Sequence, residues 1–214
     1  EIDRWIVLSA ATDLEEPLAP NETALAASRL VRADDEPFVS AWVAARWARL
    51  AGVDKTIYER RLADLAASDI KLTPIEQSLL DDLEALDYLA AGDTAQAIAS
   101  WRGATLRFAI DGVTFGLVNS LWPLRLALGR AALATGDATL AIEEMGTFGR
   151  MAGFVDQAAW LPAMTLQAEA GLATGDVNLA INAYADMHRI LGFAGEERAA
   201  QRDSIARLIL ELRN

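Results

Sequence analysis

One phrase recurs three times along this 214-residue chain: Gly92-Asp93-x-x-x-Ala97-Ile98, Gly136-Asp137-x-x-x-Ala141-Ile142 and Gly175-Asp176-x-x-x-Ala180-Ile181. The copies begin 44 and then 39 residues apart. A phrase at that period marks stacked supersecondary units, each too small to bury its apolar face alone. The chemistry of the phrase says what the unit is. Glycine reaches the left-handed conformation that follows a helix C-terminus without a Cβ penalty. Aspartate caps the free N–H groups that open the next helix, and Ala-Ile begins that helix's buried stripe. The phrase is the joint of a helical hairpin, so the expected fold is all-α: a right-handed solenoid of antiparallel helix pairs, about ten or eleven helices long.

The flanks repeat the same grammar. Thr73-Pro74-Ile75-Glu76 combines a capping threonine, a first-turn proline and a glutamate that completes a capping box. Leu79, Leu80, Leu83, Leu86 and Leu89 follow at helical spacing up to Gly92, and Ala97, Ile98, Trp101 and Ala104 line the second helix. In the second copy the first helix starts near Ser120 and its partner runs from Asp137 to about Met151. In the third they start near Ala158 and run from Asp176 to about Leu191. Pro123 and Pro162 each lie 13 residues before the glycine, where a first turn tolerates proline; an earlier start implies a kink.

Upstream, Pro37 to Leu50 and Asp54 to Ala67 flank Gly52, which lies 40 residues before Gly92 and so reads as a degenerate copy. An Asn21-capped helix (Glu22 to Arg32) and a short apolar helix (Trp5 to Ala11) precede it. Asn21-Glu22-Thr23 also fits a glycosylation tripeptide, but capping explains it. The expected organisation is a single repeat domain over 1–214, with degenerate repeats in 1–72, clearer ones in 73–192 and a capping helix in 195–213. That last helix sets Ile205, Leu208, Ile209 and Leu212 toward the stack.

These residues resemble the tetratricopeptide repeat superfamily. Its pattern has a small residue seven before the glycine, an aromatic four before, then Gly-Asp, Ala-Ile, an aromatic and a small residue. The first copy supplies Ala85, Tyr88, Trp101 and Ala104 at these places. The second has Leu128-Gly129 but Ala132 and Met145 for the aromatics. The third has Ala168 and Tyr184, with Gly171 for the first aromatic. The period exceeds the family's usual 34, and its closing proline is missing. The ending, Ala180 to Leu212, also resembles C-terminal repeat regions of large bacterial regulators and eukaryotic-like Ser/Thr kinases. The resemblance implies ligands on a concave face made by the first helices. Its groove positions fall by register on Trp42, Arg46 and Arg49; Asp82, Leu86 and Leu89; Leu126, Arg130 and Leu133; and Thr165, Glu169 and Leu172. Arg46 and Arg130 suit a peptide carboxylate. The plainer alternative is ordinary arginines on a mostly apolar surface, whose leucines meet another domain of the parent protein or a second copy of this chain.

Composition excludes more than it assigns. With no cysteine there is no disulfide or thiolate chemistry, and a single histidine, His188, removes any His-pair metal site. A net charge of −12 disfavours nucleic acid and mildly favours basic partners. Only two of the 19 basic residues are lysine, Lys55 and Lys71; with the alanine content this suggests a GC-rich bacterial genome. Neither lysine follows a glycine, so there is no phosphate loop, and Gly-x-Ser-x-Gly is absent. No apolar run approaches the roughly 20 residues of a membrane helix. The chain opens with Glu1 and shows no signal pattern, which reads as an excised or processed piece. The compartment stays open between the cytoplasm, which is favoured, and the extracytoplasmic part of a membrane-anchored protein.

Asp81, Asp82, Glu84 and Asp87 form a cluster suited to acid/base or cation chemistry, though a solvated helix face explains it more simply; Glu143-Glu144 and Glu196-Glu197 read the same way. Of the six tryptophans, Trp101 belongs to the core and Trp42 and Trp122 are expected to be partly exposed; packing is favoured for Trp5, Trp47 and Trp160. The functional expectation is a non-enzymatic module with no cofactor and no metal, binding a protein or peptide on its concave face. A small-molecule sensor with a pocket between hairpins is the alternative.

Overall fold

The computed structural model describes residues 20–33, 36–67, 71–111, 121–148, 157–193 and 195–214. Among them are ten α-helices, one short 3-10 helix and no strand. The helices are α1 (Pro20–Leu30), α2 (Pro37–Ala51), α3 (Thr56–Ala66), α4 (Pro74–Ala90), α5 (Thr94–Asp111), α6 (Trp122–Ala134), α7 (Ala138–Met145), α8 (Gln157–Thr174), α9 (Val177–Leu191) and α10 (Ala199–Arg213). The 3-10 helix Glu196–Arg198 leads into α10.

The chain divides into two compact units, 1–119 and 120–214. In the first, α1 packs on α2, α2 on α3 and α4, and α4 on α5. In the second, α6, α7 and α8 pack on one another, α8 on α9, and α9 on α10.

The repeated phrase makes the joints. Gly92, Gly136 and Gly175 have φ of 83°, 86° and 80°, a region closed to most side chains. At the first joint Asp93 N–H donates to Tyr88 O (2.9 Å) and Gly92 N–H to Leu89 O (3.0 Å). At the second, Asp137 N–H donates to Ala132 O (2.8 Å) and Gly136 N–H to Leu133 O (3.0 Å). This is the Schellman closure of a helix end. Each aspartate then caps the following helix: Asp93 Oδ1 accepts from Gln96 N–H, Asp137 Oδ1 from Leu140 N–H and Asp176 Oδ1 from Leu179 N–H, at 3.1, 3.1 and 3.0 Å. Gly52 has the same turn, with φ of 64° and Val53 N–H donating to Ala48 O at 3.0 Å. It lacks the aspartate, and α3 starts only after Asp54 Oδ1 accepts from Thr56 N–H (2.9 Å). The Thr73–Glu76 capping box is complete.

Packing explains the aromatic positions that are filled by small residues. A Cβ on Gly171 would meet Asp176 O at 3.0 Å and Ala180 N at 3.1 Å, so α8 approaches the start of α9 too closely for a side chain there. Gly129 has Met145 Cε 2.7 Å from where its Cβ would be, so methionine fills the gap that an aromatic fills elsewhere. In the second unit Ala168, Ala180, Ala183, Tyr184, Met187, Leu191 and Ile205 form one buried cluster, onto which Ile209 and Leu212 of α10 pack.

Several sequence expectations shift. α1 starts at Pro20, so Asn21 lies inside the first turn and is not its cap. The helix after Asp137 ends at Met145, not near Met151. Gly146 is a poor helix former, and the Thr147 hydroxyl bonds back to Glu144 O at 2.7 Å. α8 begins at Gln157 and so carries Pro162 inside it. Leu208 is exposed, although it was expected to face the stack. The helix expected over Trp5 to Ala11 lies outside the described residues.

Candidate functional site

The expected groove rows divide by depth. Trp42, Arg46, Asp82, Leu86 and Leu126 are all buried, with Trp42 and Arg46 only 2 % exposed and Asp82 at 0 %. Arg49, Arg130 and Thr165 are half-buried and Glu169 is exposed. The partial exposure expected of Trp42 and Trp122 is not found: both lie in the interior. Helical period gives the reason for Asp82. Leu79, Asp82, Leu83 and Leu86 sit at i, i+3, i+4 and i+7, on the stripe that α4 turns inward.

A carboxylate on such a stripe must be met by donors, because burying it unpaired is very costly. Three side chains from two other helices meet it. Arg46 Nη1 of α2 donates to Asp82 Oδ1 and Oδ2 at 2.5 and 2.7 Å. Trp42 Nε1, one turn earlier on α2, donates to Oδ2 at 3.0 Å. Trp101 Nε1 of α5 donates to Oδ1 at 2.8 Å. Both oxygens therefore carry an indole N–H and share a guanidinium nitrogen. Arg46 does hold a carboxylate, as its chemistry suggested, but the carboxylate belongs to this chain. Register gives Trp101 a packing role, to which the structure adds a hydrogen bond; that bond is legible in principle, because a buried indole seeks an acceptor and Asp82 lies on the inward stripe.

A second polar cluster ties α2 to α3 and α4 nearer the surface. Arg49 donates through Nε to Asp87 Oδ1 (3.0 Å) and through Nη2 to Asp87 Oδ2 (3.0 Å) and Glu59 Oε1 (2.9 Å). Lys55 Nζ reaches Asp87 Oδ1 at 2.9 Å and Glu59 at 3.2 Å. Burial pushes the Asp87 carboxyl up, but the hydrogen bonds and charges of Arg49 and Lys55 together hold it below the ordinary range. The hydrogen bond to Asp87 raises the Lys55 ammonium in turn. Asp81 accepts from Gln77 (3.0 Å) and Glu84 from the Tyr88 hydroxyl (3.1 Å). The four clustered acids of α4 thus bond different sets of partners and do not converge. Among the described residues no group of three or more His, Cys, Asp or Glu could hold a metal.

In the second unit, α6 and α8 are neighbouring first helices of consecutive hairpins. Arg125 and Glu144 form a largely buried ion pair at 2.6 Å that joins α6 to α7. Leu133 is half-buried and Leu172 is 42 % exposed, at the same place in their repeats. Glu169 stands one turn before Leu172. The Thr165 hydroxyl donates to its own helix at Leu161 O (2.9 Å). Trp122 Nε1 and Trp160 Nε1 are buried and find no acceptor among the described residues. No helix among the described residues is long and apolar enough to cross a membrane. Comparison with protein-family models, curated proteins and solved structures finds no match.

Proposed function

We propose that this chain is a non-catalytic binding module of the tetratricopeptide-like solenoid type, which recognises a peptide or partner domain through the first helices of its hairpins. The observation that carries this reading is the division of the groove rows by depth. The deep members in the first unit are spent on one internal carboxylate, whereas α6 and α8 lie together and keep Leu133, Glu169 and Leu172 at least partly in contact with solvent. An acidic residue one turn from an exposed leucine, on a chain of net charge −12, suits a segment that offers an apolar side chain next to a basic one. The enclosure of Asp82 by its own donors supports a role other than acid/base chemistry for that carboxylate, because it cannot reach a substrate proton. The test is Glu169→Arg with Leu172→Glu, measured as capture of a partner that the wild-type chain retains. Capture is expected to fall at least tenfold with an unchanged melting temperature. Undiminished capture sinks this placement.

A second reading, small-molecule sensing, is favoured by one observation. The buried indole N–H groups of Trp122 and Trp160 donate to nothing among the described residues, and an unmet buried donor costs about 1–3 kcal/mol. A bound acceptor group meets that need. A metabolite that raises the melting temperature of wild type but not of Trp122→Phe supports this second reading, and a screen in which none does so removes it.

A further inference from the structure

The donors around Asp82 have the form of a receptor. Arg46 Nη1, Trp42 Nε1 and Trp101 Nε1 all aim at one small region of the interior, and both oxygens of a single carboxylate satisfy them. The donor set carries a positive charge, and the two indole nitrogens can only donate. Such a set matches a planar anion with two oxygens and mismatches neutral amides, which bring donors of their own. Helices α2 and α5 supply the receptor and α4 supplies the ligand.

We propose that Trp42, Arg46 and Trp101 form a carboxylate-binding site that the chain keeps filled with its own Asp82, and that this site accepts a small monocarboxylate from solution once the Asp82 carboxyl is removed. The joint between α2 and the α4–α5 hairpin is then a ligand-binding interface whose ligand is tethered. Size selects among external ligands. Asp82→Gly vacates the carboxyl group and its Cβ, but a free ligand stands off the helix at non-bonded distance where the Cβ was bonded, so formate fits better than acetate, and propionate carries carbon with no space to occupy.

The experiment compares wild type and Asp82→Gly by thermal melting in sodium chloride and sodium formate at equal ionic strength. Wild type, whose site is filled, reports the general effect of the salt. Beyond that effect, Asp82→Gly is expected to gain about 5 °C or more, saturating with formate concentration. Acetate is expected to give a smaller gain and propionate none. If Asp82→Gly is unfolded in chloride, the same titration is followed by circular dichroism at 222 nm, with saturable recovery of helix expected. Asp82→Gly combined with Arg46→Met is expected to show no formate-specific gain. The proposal is overturned if formate gives Asp82→Gly no more than it gives wild type, if it fails to restore helix to an unfolded variant, or if sulfate works as well as formate.

Discussion

Asp82→Asn is the sharpest perturbation of the interior described here. It preserves the volume and removes the charge. The wild-type carboxylate answers three donors on two oxygens at 2.5–3.0 Å with no exposure to water. An amide keeps one acceptor oxygen and puts an NH2 where the other was. Either flip sets the new NH2 against an indole N–H and the Arg46 guanidinium, and the buried Arg46 cation loses the charge of Asp82. Removing one partner of a buried ion pair costs about 3–5 kcal/mol. At about 4 °C per kcal/mol for a unit of this size, the melting temperature should fall by roughly 12–20 °C. The assay is a circular dichroism melt, with the indole Nε1 proton resonances of Trp42 and Trp101 as a local readout. Asp81→Asn, one residue away and accepting from Gln77 of its own helix, serves as the control and should cost far less than Asp82→Asn. If Asp82→Asn melted within about 3 °C of wild type with both indole resonances unmoved, the idea of a carboxylate-centred core would be wrong.

Other consequences concern the joints, the close approaches and the surface clasp. Gly136→Ala forces a side chain into φ of 86° and should cost about 1–2 kcal/mol in chemical denaturation, while Asp137→Ala removes a cap and should cost about 1 kcal/mol. Two helical glycines should respond with opposite sign: Gly171→Ala meets backbone at 3.0 and 3.1 Å and destabilises, whereas Gly103→Ala enters open space and should stabilise by about 0.4–1 kcal/mol. The Asp87 carboxyl is depressed in the folded chain, so its contribution is complete above the unfolded carboxylate pKa of about 3.9 and is lost as pH falls through the lower folded value. Because Asp87 is nearly half exposed, that contribution is small and weakens with salt. A wild-type minus Asp87→Asn stability difference that stayed constant from pH 7 to about pH 2 would contradict the assignment.

The joints were the most legible part of this chain because their chemistry is local. A glycine with positive φ and an aspartate cap are set by a few neighbouring residues, and all three copies of the phrase behave as read. Helix ends without such signals were less legible: nothing as explicit as Gly-Asp marks where α7 stops. The groove rows show a different limit. Register placed Trp42, Arg46 and Asp82 near one another, but it assigned them to a surface. Whether a polar residue on a first helix faces solvent depends on which neighbouring helix covers it. That was readable only from the inward phase of Asp82 among Leu79, Leu83 and Leu86. The displaced aromatics were opaque for the same reason, since the crowding at Gly171 and the methionine beside Gly129 are facts of helix approach.

The central functional claim is that a partner sits along α6 and α8, and contact mapping tests it most directly. A photo-crosslinking residue is placed at 169, at 172 and, as a control, at the exposed Asp203 of α10, in chains that melt as wild type does. Partner crosslinks at 169 and 172 and none at 203 are the predicted result. Crosslinks at 203 with none at 169 or 172 would place the partner elsewhere and contradict the claim.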